Sequence, residues 1–195
     1  LFDSIAEILG TVVGLFYLYW EYKASMKVWI AGIIMPAISL VVYWNAGLYA
    51  DFGINIYYLL AAIYGWIVWQ YGRKEKEQFR PIVRTPNKSW LPLAIVFAAT
   101  FLLIGLILTH FTDSNVPWWD SFTTALSIVG MFMLARKWLE QWLVWIVVDI
   151  VCSGLYIYKG IYFYAALYAA YTIVAVFGYL EWKRKMNATQ IADTL

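Results

Sequence analysis

Apolar runs broken by brief polar or charged interruptions fill this sequence from end to end. Seven runs, near 5–22, 27–45, 50–71, 91–110, 118–135, 141–158 and 161–182, are each about 18–22 residues long, enough for a helix to cross the hydrocarbon core of a bilayer. The pattern predicts an all-α integral membrane protein with seven transmembrane helices. Pro36 falls inside the second run, where it should bend the helix and free a carbonyl. Spans two and three, and spans six and seven, are joined by very few residues, so each pair should be antiparallel neighbours. The one substantial interruption is 72–90, which is charged and holds Pro81 and Pro86.

A repeat underlies the runs. Sliding the chain by 113 residues lays Trp29 on Trp142, Gly47 on Gly160, Tyr49 on Tyr162, Gly65 on Gly178 and Trp69 on Trp182, with Lys23 on Arg136 and Glu7 on Asp120. Paired halves of this kind are a common plan for transporters. The expected organisation is a first three-helix bundle (1–71), a cytoplasmic linker with a connecting helix (72–111), a second three-helix bundle (112–186) and a C-terminal tail (187–195). This 3+1+3 parallel repeat would have its pseudo-two-fold axis along the membrane normal and a pathway between the halves.

Charge orients the chain. Of the fourteen Lys and Arg residues, all but Lys159 fall in segments that the seven spans place on one side. By the positive-inside rule the N-terminus is outside and the C-terminus is cytoplasmic. Composition agrees with a membrane protein: 64% of the 195 residues are hydrophobic and 13% are charged, where a soluble domain carries roughly 25% charged. The net charge of +2 is too small to argue for nucleic acid. One cysteine, Cys152, and one histidine, His110, leave neither an internal disulfide nor a metal-ligand spacing, and no cofactor is expected. The start has no basic region ahead of its apolar run, so a signal peptide is not expected.

The candidate chemistry lies in polar residues within the spans. Trp142, Trp145 and Asp149 follow an i, i+3, i+7 spacing and share one helix face. A carboxylate at mid-span costs at least about 2.5–3.5 kcal/mol, so Asp149 should face a cavity or a partner rather than lipid. Indoles and an acid on one face suit a cationic aromatic ligand; the alternative is a carboxyl bonded to a neighbouring helix, with the tryptophans in the interface belt. Asn55 and Tyr58 in the third span, and Tyr168 with Tyr164 and Tyr171 in the seventh, are further candidates, with helix–helix contact as the alternative. Asp51, Glu7 and Asp120 sit near the outer boundary, where acids suit helix N-termini. Twelve Trp and sixteen Tyr exceed what two interface belts need. A retinal protein is excluded because the last span lacks a lysine, and no catalytic constellation is present. No buried acid–base chain for proton coupling is legible.

The runs Gly47-Leu48-Tyr49-Ala50-Asp51, Ile63-Tyr64-Gly65-Trp66 and Trp69 resemble signatures of the PnuC family of vitamin transporters. So do Arg136-Lys137, Glu140, the stretch from Trp142 through Trp145 to Asp149, Tyr158-Lys159-Gly160-Ile161-Tyr162, and the closing Gly178 and Trp182. The resemblance covers nearly the whole chain. It implies a SWEET-like 3+1+3 fold in a bacterial inner membrane, a homotrimer, and facilitated diffusion of an unphosphorylated vitamin trapped afterwards by phosphorylation. Nicotinamide riboside and thiamine are the implied substrates, with riboflavin a further candidate. In the riboside carriers the resemblance places amides where this chain has Asp149 and Ala62, and Gln where it has Asn55, whereas Trp142 and Trp145 match. These departures make the thiamine-type PnuT branch the expectation and nicotinamide riboside the alternative. A receptor or scaffold of seven spans without flux is the reading from a different class; the short cytoplasmic segments count against it.

Overall fold

The computed structural model describes residues 13–46, 49–71 and 81–192. Helix α1 covers 13–22, followed by α2 (Lys27–Ala46), α3 (Tyr49–Tyr71), α4 (Asn87–Phe111), α5 (Pro117–Ala135), α6 (Gln141–Tyr158) and α7 (Tyr162–Ala192). Four stretches are long and apolar enough to span a membrane by themselves: Phe52–Tyr71, Asn87–Phe111, Gln141–Tyr158 and Tyr162–Thr189. The chain therefore folds as an all-helical, multi-pass membrane protein. Its internal contacts divide it into two compact units, Leu1–Pro81 and Ile82–Leu195.

The same turn is built once in each unit, 113 residues apart. After α1, Ala24 adopts a left-handed φ of 53°, and after α5, Lys137 adopts 54°. Around Ala24, the amides of Lys23, Ala24 and Ser25 donate to the carbonyls of Tyr19 (3.0 Å), Glu21 (2.8 Å) and Trp20 (2.9 Å). Around Lys137, the amides of Arg136, Lys137 and Trp138 donate to Phe132 (3.1 Å), Leu134 (2.9 Å) and Met133 (3.0 Å). This is a Schellman closure, which satisfies the carbonyls a helix end leaves orphaned. Even the cation–ring contact recurs, with Lys23 5.9 Å from the Tyr19 ring centre and Arg136 5.4 Å from that of Phe132.

A second device recurs at the helix–helix contacts. In the first unit Trp29 on α2 meets Trp69 on α3 edge to face at 5.3 Å; in the second, Trp142 on α6 meets Trp182 on α7 at 5.7 Å. Each α2 or α6 indole lies against a glycine of the facing helix. A Cβ on Gly65 would come within 2.2 Å of Trp29, and one on Gly178 within 2.6 Å of Trp142. Without a large hydrophobic force between helices in lipid, such ring-into-glycine contact is what holds them. A third contact keeps its volume while exchanging its partners. Tyr17 of α1 lies over Gly32 of α2, whereas in the second unit Gly130 of α5 lies under Trp145 of α6.

Helix α5 falls outside the four apolar spans for a physical reason. It packs on both α4 and α6 and buries Ser121, Thr123, Ser127 and Gly130. Ser121 donates to the Phe101 carbonyl of α4, and Ser127 bonds back to Thr123 O at 2.8 Å. Small polar residues inside a bundle lower hydropathy while permitting close approach. At one end of this unit residues 82–85 are stitched to the α5–α6 turn. Val83 N donates to Lys137 O (3.1 Å) and Leu139 N to Val83 O (2.9 Å), while Glu140 Oε2 accepts from Thr85 N (2.7 Å) and Thr85 Oγ1 (2.8 Å).

Helix α7 runs to Ala192, so most of the tail expected from 187 onward is helical. Hydropathy marks where a helix leaves lipid, not where it stops. Beyond that point Glu181 pairs with Arg184 (2.9 Å) and Lys185 (3.7 Å) at helical spacing.

Candidate functional site

The α6 triplet splits by environment. Trp142 is 0% exposed, locked between Gly178 and Trp182, so its rings serve the α6–α7 contact. One turn on, Trp145 is only partly buried and rests on Gly130 of α5, 3.2 Å from a Cβ built there. Among the described residues its indole N–H has no hydrogen-bond partner, and neither has that of Trp142. Asp149, a further turn on, is 7% exposed. Among the described residues it makes no hydrogen bond or ion pair.

Helix α7 brings tyrosines to this carboxyl. Tyr168 and Tyr171 lie within electrostatic reach of Asp149, as does Cys152 on α6 itself. Tyr168 packs on Tyr156 of α6 (5.3 Å between ring centres) and on Tyr171 (5.6 Å), and Tyr156 also stacks on Tyr164 (5.5 Å). The i, i+4, i+7 tyrosine face expected on this helix therefore forms one aromatic patch with α6. Ser153 Oγ ties the two helices by donating to Ala165 O at 2.9 Å.

The candidates on α3 lie in the first unit. Asn55 and Tyr58 are both half-buried, Tyr58 beside Tyr57 (5.7 Å) and within electrostatic reach of Tyr17 on α1. Ala62 is fully buried against Gly32. Glu7 and Gly47 lie outside the described residues, and Asp51 lies in α3.

Two features were not read from sequence. Glu21 is 2% exposed and interacts electrostatically with Tyr17. Among the described residues Glu21 and Asp149 are the two buried acids. A charged residue at a span boundary gives no hydropathy signal for burial. The second feature concerns Lys159, the one basic residue that breaks the charge asymmetry. It pairs with Asp120 at 3.7 Å, and Ser114 donates to the same carboxylate at 3.1 Å. Beside that pair, Asn115, Val116, Pro117, Trp118, Trp119, Leu155 and Tyr158 line an open cleft of about 460 Å³. None of the expected site residues lines it.

The family follows from the whole chain. Residues 4–184 match the model of a family described as "Nicotinamide mononucleotide transporter". This chain belongs to the nicotinamide mononucleotide transporter family. It is 26% identical over 203 residues to the nicotinamide riboside transporter PnuC of Escherichia coli K12, covering 92% of this chain and 85% of that protein. It is 24% identical to the riboflavin/roseoflavin transporter RibM of Streptomyces davaonensis, covering 91% and 84%. A solved structure, the crystal structure of the vitamin B3 transporter PnuC, superposes with a TM-score of 0.68 at 21% identity, covering 91% of this chain and 80% of that one. The resemblance read from the Gly, Trp and Asp motifs thus holds at the level of the family, and the fold likeness covers the same extent.

Proposed function

We propose that this member of the family carries an unphosphorylated, flat aromatic vitamin across a bacterial inner membrane by facilitated diffusion, with nicotinamide riboside as the lead substrate. The observation that carries it is the family match over residues 4–184, supported by the relatives named for that riboside. The thiamine expectation drawn from sequence gives way to this order, because the relatives above are named for nicotinamide riboside and riboflavin. In this proposal Trp145, Asp149 and Tyr168 contact the vitamin, and Asn55 and Tyr58 are the candidate contacts that the first unit offers by itself. Trp142 acts from behind by fixing α6 on α7. A pyridinium ring is flat and cationic, so an indole and a carboxylate on one face suit it. A mononucleotide would bring its phosphate against Asp149, which argues for the unphosphorylated form.

The 3+1+3 parallel arrangement, with bundles 1–71 and 112–186 and an outside N-terminus, is part of the same proposal. The turn, the tryptophan clasp and the exchanged Tyr17–Gly32 and Gly130–Trp145 contacts support it, as does the charge asymmetry. Thiamine remains the second reading, because the Asp149 carboxylate suits the thiazolium cation and exocyclic amine of thiamine as well as it suits the pyridinium cation and carboxamide of nicotinamide riboside.

Counterflow of labelled nicotinamide riboside into proteoliposomes, with unlabelled thiamine as competitor, separates these outcomes. Uptake that requires the protein, and is lost in Trp145→Ala, is expected. Displacement by thiamine at tenfold lower concentration than the riboside would reverse the order of substrates. Binding of either vitamin without counterflow would leave a receptor and refute transport.

A further inference from the structure

We propose that Gln141 contacts the vitamin: its side-chain amide pairs with the edge of the ring system that carries a hydrogen-bond donor beside an acceptor. It thereby completes a carboxylate–indole–amide column on α6. This rests on the substrate class proposed above and deepens it by naming the group that reads the ring edge.

Gln141 opens α6 and is 0% exposed. Among the described residues neither its Nε2 nor its Oε1 has a hydrogen-bond partner. A buried amide with both ends unpaired is unfavourable, whereas an apolar side chain of the same shape carries no such cost. Gln141, Trp145 and Asp149 follow an i, i+4, i+8 spacing and share one face of the helix. The Trp145 indole N–H and the Asp149 carboxyl also lack a partner among the described residues. Three successive polar groups on one face are thus left for something else to satisfy. The first unit shows what the scaffold alone requires. The 113-residue correspondence lays Val28 on Gln141, Gly32 on Trp145 and Pro36 on Asp149. Val28 is as fully buried as Gln141, so this position asks the fold only for an apolar filler. The adjacent tryptophan clasp is kept in both units. The scaffold repeats, and the polar column does not.

An amide presents an N–H donor and a carbonyl acceptor side by side. The carboxamide of nicotinamide riboside and the aminopyrimidine of thiamine each present the complementary pair, so two parallel hydrogen bonds can form. Trp145 offers its ring face to the cation, and Asp149 lies about 6 Å along α6 at helical rise. Gln141 lies about 6 Å the other way, where the donor–acceptor edge of a ring seated on the indole falls. Binding then satisfies both amide atoms that the empty protein leaves unpaired. A ring without that edge leaves them unpaired still, and this is how a site built from buried polar groups discriminates.

The test uses the full chain in lipid nanodiscs and two probes, nicotinamide riboside and the pyridinium riboside that lacks its carboxamide. Gln141→Met keeps nearly the same shape and removes both polar atoms. It should raise the Kd for nicotinamide riboside by roughly 5- to 30-fold and leave that of the carboxamide-free riboside unchanged within about twofold. Thermal unfolding of the vitamin-free variant should be no earlier than that of the wild type, since an unpaired buried amide has been removed. A merely structural glutamine would give the opposite result, an earlier transition and an equal loss for both probes. The assignment is overturned if Gln141→Met shifts the two ribosides by the same factor or shifts neither, as it would if the amide held only a buried water. Should Gln141→Met not fold, Gln141→Val, which installs the residue of the first unit, is read the same way. Equal affinity of the wild type for the two ribosides overturns the assignment without any variant. Thiamine and its analogue without the amino group serve the same comparison if thiamine is the tighter ligand. Absence of binding for both vitamins refutes the proposed function and this role with it, whereas binding indifferent to Gln141 overturns this role alone.

Discussion

Replacing Gly178 with alanine puts a methyl group where the Trp142 indole already lies. Its Cβ would stand 2.6 Å from Cη2 and 2.7 Å from Cζ2 and Cζ3 of that ring, against an ordinary carbon–carbon contact of about 3.5–4.0 Å. The ring must therefore retreat by roughly 1 Å. It has nowhere to go, since Trp142 and Trp182 are both fully buried and in contact. Overpacking of this kind costs about 1–3 kcal/mol, or roughly 5- to 150-fold in the folding equilibrium. Gly154 on α6 is the matched control, because a Cβ there meets nothing within 4 Å. Alanine at that position should stabilise the helix by about 0.5–1 kcal/mol. Thermal unfolding in detergent micelles, followed by tryptophan emission, should move in opposite directions for Gly178→Ala and Gly154→Ala. Adding Trp142→Phe to Gly178→Ala should recover part of the loss by withdrawing the ring atoms that the methyl strikes. If Gly178→Ala proves as stable as the wild type, the clasp is not a rigid contact and the reasoning fails.

Two further outcomes follow from local geometry. Ala24→Gly relieves a left-handed backbone in a turn whose closure depends on it and should stabilise the protein by roughly 1 kcal/mol; a loss of stability in the same micelle assay would contradict this. At the 82–85 stitch, Thr85→Val removes only the hydroxyl bond to Glu140 and should cost about 1 kcal/mol, whereas Glu140→Ala removes both and should cost roughly 2–3 kcal/mol. Hydrogen exchange at the Thr85 amide tells them apart, since it should rise sharply only in Glu140→Ala. Equal exchange in the two variants would mean that the carboxylate does not hold that amide.

Much of the candidate site was legible because the membrane makes polar residues conspicuous. Asp149 stands out in an apolar span by cost alone, and the structure buries it without a partner among the described residues. Trp145 and Trp142 could not be told apart by spacing, since both lie on the Asp149 face; only the glycine opposite each shows that one is wedged between helices and the other partly accessible. Glu21 escaped notice for the opposite reason: a charged residue beside a turn reads as solvated, yet it is almost fully buried. The α5 span illustrates the same limit. Its serines and threonines read as weak hydropathy, whereas the fold uses them where α4 and α6 pack closely on α5.

By itself the sequence determined the family, the helical class, the approximate spans and the 113-residue correspondence. These depend on chain-local quantities: hydropathy over a helix length, charge between spans, and the order of glycine, tryptophan and acid. Tertiary structure decided what those residues do. It closed both turns with a left-handed residue at equivalent positions, seated Trp29, Trp142 and Trp145 on glycines, extended α7 along its charged face and left Asp149 without a partner among the described residues. None of this is local, because a side chain's role in a membrane bundle is fixed by what faces it on another helix. That explains why Asp149, conspicuous from its own span, gained its surroundings only once α7 was seen to bring it Tyr168 and Tyr171.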